Sequence, residues 1–127
     1  MKNLIISCII VLVFIVGWLS FDYYSQNAVN SLCDILEDNI IPLTEENSWG
    51  EVALQYEDFE KEWNQYKAVA LYFLENDKLV EIDLCIARAE KYIEAEDVSN
   101  SAGEVSSISK QIQLLTKREK VTLSNIL

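Results

Sequence analysis

Apolar residues along this chain form one unbroken run followed by four interrupted stripes. Residues 4–19 carry no charge, and Ser20 and Phe21 extend the stretch to eighteen positions, about 27 Å as a helix. That length nearly matches the roughly 30 Å hydrocarbon core of a bilayer, so the run predicts a membrane-spanning helix over residues 4–21. Trp18, Phe21, Tyr23 and Tyr24 cluster at its far end, where amphipathic rings favour the headgroup layer. The first stripe beyond it is Ala28, Val29, Leu32, Ile35, Leu36 and Asn39 or Ile40, and Pro42 is expected to end that helix. No Gly or Pro lies between Gly17 and Pro42. The anchor should therefore run straight into the first helix of the remaining chain.

Trp49, Val52, Tyr56, Phe59, Trp63, Tyr66, Ala70 and Phe73 alternate spacings of three and four without a miss. Such spacing lays one apolar seam along a helix, and these residues are the expected structural core. Ser48 with Glu51 three residues on is a capping box, which predicts a helix start at Trp49. Glu75-Asn76-Asp77 breaks the phase before the next stripe, Leu79, Ile82, Ile86, Ala89 and Ile93. The break predicts a turn near Asn76, although one bent helix satisfies the same residues. Residues 97–101 form a polar gap, and Ser101 with Glu104 repeats the capping box. A last helix then carries Val105, Ile108, Ile112, Leu115 and Ile126, with Glu119 falling on the same stripe. Lys110, Lys117, Arg118 and Lys120 lie in its later part, where positive charge complements the negative end of the helix dipole.

The fold class is therefore all-α, an N-terminal transmembrane helix over residues 1–21 continuing into a bundle of about four helices over residues 22–127. Asn47-Ser48-Trp49-Gly50-Glu51-Val52 and Asn100-Ser101-Ala102-Gly103-Glu104-Val105 agree at five positions of six, and Leu32-Cys33 recurs as Leu84-Cys85 at nearly the same offset. Duplication of one αα-hairpin would explain both coincidences; recurrence of serine-led caps explains the first equally. Two copies fall short of a solenoid, so a closed four-helix bundle is the expected architecture.

Composition narrows the chemistry. The chain of 127 residues holds no His, 3 Gly and 1 Pro, with 21 acids against 10 bases and a net charge of −11. Without His, the catalytic triads and most zinc sites are out of reach, and so few Gly leave no room for a phosphate-binding loop. The acidic charge opposes nucleic-acid binding. Lys2 and the amino terminus are the only positive charges near the apolar run, whereas Asp22 lies just past it. The positive-inside rule then places the amino terminus in the cytoplasm and residues 22 onward outside the cell membrane, in a single-pass topology. Cleavage after Ser20 or Leu19 would put Trp18 or Leu19 where a signal peptide needs small residues, and Ile5-Ile6-Ser7-Cys8 matches a lipoprotein box only at the wrong end of the run. An uncleaved signal-anchor fits better than either alternative.

Charge also suggests how the bundle closes. Residues 22–62 hold eleven acids and one base, and residues 104–127 hold two acids and four bases, so the basic last helix is expected beside the acidic first half. Cys33 and Cys85 face the oxidising side in this topology, so either a disulfide or two buried thiols is open. An up-down-up-down bundle puts their helices on a diagonal and disfavours the bond. Glu57, Asp58, Glu60 and Glu62, like Glu94, Glu96 and Asp97, read as solvated helix faces, since nothing resembles a calcium loop. No cofactor or metal site is expected, nor an enzyme, which would need two carboxylates with opposed environments in one cleft.

The order of features resembles a family of small Gram-positive bacterial proteins, domain of unknown function 4363: a short anchor, an acidic helix, a capped long helix with Trp63, a third helix, and the closing Thr122-Leu123-Ser124-Asn125-Ile126-Leu127. The break before the third helix often carries a histidine in that family, where this chain has Asn76, so no role of that histidine is carried over. The resemblance implies a membrane-anchored helical protein and no particular activity. The expected function is a non-catalytic interaction or scaffolding module held by the bilayer through residues 4–21, with a protein partner at the membrane surface. The alternative is a small-molecule or cation sensor, which would need an interhelical cavity lined by polar groups such as Gln65 or Tyr66.

Overall fold

The computed structural model describes the backbone of residues 1–126 and the side chains of residues 1–116. Its elements are α1 (Lys2–Asp34), a stretch of wider π-helical turns (Ile35–Ile40), α2 (Ile41–Glu45), α3 (Trp49–Ala70), α4 (Asn76–Glu94) and α5 (Val98–Ile126). No strand occurs among the described residues. Lys2–Glu45 is one continuous helical rod of 44 residues, about 66 Å long. Its apolar first half is exposed and is long and apolar enough to cross a membrane, while its second half is a wall of the bundle.

Short turns reverse the chain three times, so the lower part of the rod, α3, α4 and α5 form an up-down-up-down four-helix bundle. The rod packs against α3 on one side and α5 on the other, and α4 fills the remaining corner against α3 and α5. Among the described residues no Cα of α4 comes within 8 Å of α1, and none of α3 within 8 Å of α5. Those two pairs are the diagonals. The seam of α3 forms the largest part of the core: Val52, Tyr56, Phe59, Trp63, Tyr66 and Ala70 are buried. Leu79, Ile82, Ile86, Ala89 and Ile93 of α4 and Val105, Ile108, Ile112 and Leu115 of α5 meet them from the other corners. Val29, Leu32, Leu36 and Ile40 complete the core from the rod. The expected Ile126 and Glu119 positions lie outside the described side chains.

Several local expectations need correcting. Pro42 does not end the first helix. The π-helical turns widen the backbone just ahead of it, and the proline enters at the first turn of α2, where its missing N–H is not required. Trp49 is only half-buried at the tip of α3, and Phe73 has left the helix, because α3 stops at Ala70 and residues 71–75 turn into α4. The bent-helix alternative therefore does not hold. Asn39 faces solvent and Ile40 takes the core position.

The capping boxes differ most. Ser48 is the residue before α3, as expected, yet its side chain makes no cap hydrogen bond. The second box is not a cap at all, since α5 starts a full turn earlier at Val98. There the Asp97 carboxylate accepts from the Asn100 backbone N–H at 3.1 Å and from its side-chain amide at 2.7 Å. Ser101 is buried inside the helix, its hydroxyl without a hydrogen-bond partner, and Glu104 pairs with Arg88 at 3.1 Å. Both junctions use one device: Asn47 and Glu96 adopt left-handed backbone (φ 59° and 55°), and the next N–H reaches back five residues, Ser48 to Leu43 and Asp97 to Tyr92. The matching junctions are thus 49 residues apart, and the two similar hexapeptides occupy non-equivalent places.

Candidate functional site

Most residues with candidate chemistry are consumed by the structure. The Trp63 indole donates to Asp83 at 2.7 Å, and the same carboxylate accepts from Lys67 at 3.0 Å, which ties α3 to α4 along their length. Tyr56 donates to the Ile86 carbonyl across the same interface. Burial pushes its phenol well above the ordinary range, with Glu60 and Glu90 adding to the effect, so it stays a neutral donor. Glu60 is half-buried facing Glu90 and Glu57, and desolvation first and those charges second raise its carboxyl. Glu94 sits beside Lys91, Asp97 caps α5, and Glu57, Asp58 and Glu96 face solvent. No group of three potential metal ligands forms among the described residues.

Cys33 and Cys85 are buried free thiols, on diagonal helices too far apart to bond. Cys33 donates to the Ser109 carbonyl at 3.6 Å, and burial raises its pKa. Cys8 lies exposed on the apolar half of the rod. α5 does lie beside the acidic first helix. Among the described residues the side-chain links between them are hydrogen bonds, from the Cys33 thiol to the Ser109 carbonyl and from the Ser109 hydroxyl to Glu37 at 3.0 Å, and no ion pair joins them. The side chains of Lys117, Arg118 and Lys120 fall outside the described residues.

What remains open to solvent is a groove of about 430 Å³ between the rod and α3. Tyr23, Tyr24, Asn27 and Ser31 form one wall, Glu62 and Gln65 the other, and Ala28, Leu32 and Tyr66 the floor. The helical repeat produces it: residues 24, 27 and 31 flank the buried stripe Ser25, Val29 and Leu32, so they line the edge where α3 meets the rod. Ser25 and Tyr66 share a buried hydrogen bond of 2.6 Å that fixes the floor, and Ser31 donates to Glu62 at 3.0 Å across the rim. The Tyr24 and Tyr66 rings stack with centroids 6.2 Å apart. Aromatic faces, amide groups and one carboxylate make this a surface suited to binding. Gln65 and Tyr66 were legible as candidate lining residues, whereas the Tyr23–Ser31 wall depended on which helix packs beside which.

Compared with known proteins, residues 23–126 match the family model described as Domain of unknown function (DUF4363). No curated protein and no solved structure matches the chain.

Proposed function

The chain belongs to the domain of unknown function 4363 family, a description that brings no activity with it, and from the geometry we propose that this protein is a membrane-anchored interaction module. The bundle lies outside the cell membrane with the amino terminus in the cytoplasm, as the single Lys2 before the apolar run and the acids beyond it favour. One observation carries the reading: a single rod is bare and apolar in its first half and core-forming in its second. No loop separates the two halves, so the bundle cannot swivel freely on its anchor. The groove opens just beyond the apolar half, beside Tyr23 and Tyr24, and is therefore held close to the bilayer at a fixed height.

The occupant this groove suits is a basic protein segment at the membrane surface. Residues 22–66, which supply both of its walls and its floor, carry eleven acids against Lys61 alone, so a positively charged partner is attracted and a negatively charged one repelled. Tyr24, Tyr66 and Glu62 would also suit an organic cation, the sensor reading, but the groove is open along its length and an extended segment fits that shape better. Photo-cross-linkers at Asn27 and Gln65 in intact cells should give one discrete protein adduct. Glu62→Lys should abolish it, and a cross-linker at Leu54, on the far end of α3, should not form it. Equal adducts from Leu54, or indifference to Glu62→Lys, would overturn the assignment.

A further inference from the structure

We propose that the turn between α3 and α4 is a second membrane contact, which docks the bundle onto the lipid surface beside its own anchor. The proposal rests on the reading of α1 as a transmembrane anchor and extends it to a part of the chain 50 residues away from that anchor in sequence. The turn reads Leu71-Tyr72-Phe73-Leu74, and residues 68–74 contain no charge. In a soluble bundle such a turn would be polar. Here Tyr72 is 87% exposed and Leu71 49% exposed, an apolar and aromatic tip pointing away from the core.

Its position explains the composition. Phe73 stacks on Phe21 with ring centroids 4.2 Å apart, and the Trp18 and Phe73 rings meet in a T-shaped arrangement with centroids 6.2 Å apart. Phe21, placed by its hydropathy in the anchor, is itself buried by this contact. Counting from Leu4, Trp18 lies about 21 Å and Phe21 about 26 Å along the helix. The hydrocarbon core is roughly 30 Å thick. The turn is thus pinned at the height where the bilayer gives way to headgroups, the layer that Tyr and Trp favour. Leu71 and Tyr72 project from it, and none of the described residues covers them. Lipid is the occupant that this height supplies.

Charge shapes the kind of contact. Glu75 and Asp77 follow the turn, Asp22 follows Phe21, and Lys78 is paired with Glu81 at 3.7 Å, so the described residues around the turn offer no net attraction to anionic headgroups. The contact is apolar insertion, and it should not depend on anionic lipid. With the anchor and this turn as two fixed points, the rotation of the bundle about the rod is set, and the groove faces one direction along the membrane plane.

The test uses the full chain in phosphatidylcholine nanodiscs, with nitroxide labels at Tyr72→Cys, Phe14→Cys or Leu54→Cys in a Cys8→Ser background. The buried Cys33 and Cys85 thiols stay unlabelled. The oxygen-to-nickel accessibility ratio at 72 should approach that at 14 and exceed that at 54 several-fold, with the same values when anionic lipid is added. A ratio at 72 equal to that at 54, with 14 in lipid, overturns the turn contact and leaves the anchor standing. Water-like values at 14 as well overturn both. Low access to oxygen and nickel alike at 72 would mean protein covers the turn, and dependence on anionic lipid would mean charge drives it. Either result also refutes the proposal.

Discussion

Trp63 shows how one side chain serves two purposes in this core. Its ring is 1% exposed among Phe59, Tyr66 and the facing helices, yet its N–H is not stranded, because Asp83 accepts it. Trp63→Ala should therefore cost about 3–5 kcal/mol from the lost burial and the cavity left behind, read as a matching loss in denaturant-unfolding free energy. An unchanged midpoint would show that the ring is not in the core. Glu60 is the opposite case, a carboxylate placed where its charge is unwelcome. Its folded pKa is raised by burial and by Glu90 and Glu57, so the ionised form weakens the fold above that pKa and the penalty vanishes as pH falls below the ordinary carboxylate range. Glu60→Gln should stabilise the protein at neutral pH by about 0.2–0.5 kcal/mol, the usual size for like-charge neighbours on a helix surface. Melting curves at pH 7 and in acid should show the gain disappear at the lower pH.

Elements in this chain begin and end by backbone geometry more than by the serine caps that mark them in sequence. Ser48 and Ser101 carry the same box, but neither side chain caps a helix. The chain reverses instead at Asn47 and Glu96, whose left-handed backbone lets the following N–H groups satisfy the carbonyls at the end of the preceding helix. Asp97, one residue past Glu96, holds the first turn of α5 through its two bonds to Asn100, which keep its carboxyl below the usual range. That contribution is present above the unfolded carboxylate pKa and is lost as pH falls through the lowered folded value. Asp97→Ala should thus reduce the melting temperature at neutral pH, and the difference should narrow in acid. Ser101→Ala should cause no loss, since it removes a buried hydroxyl with no partner; a clear drop would restore Ser101 as a cap.

At the scale of the molecule, the packing of the four helices decides the chemistry of the thiols and of the surface. With α1 and α4 on a diagonal, Cys33 and Cys85 cannot approach within bonding range. Both should resist maleimide in the folded protein, react fully in denaturant and show no bridge on a non-reducing gel. A bridged species would contradict the bundle order. Much of this organisation was legible in the chain: the apolar run, the seam from Val52 to Ala70, the stripe from Leu79 to Ile93 and the break before Asn76 all follow from helical periodicity, which needs only local spacing. Sequence also set the acidic character and the absence of histidine chemistry. It could not place the junction at Val98, because Asp97 and Ser101 are both good caps and the choice between them was made by the backbone reversal at Glu96. Nor could periodicity join Phe21 to Phe73, or set Tyr24 and Asn27 opposite Gln65. Those pairs lie more than 35 residues apart, and only the sideways packing of helices, governed by side-chain shape on every facing surface, brings them together.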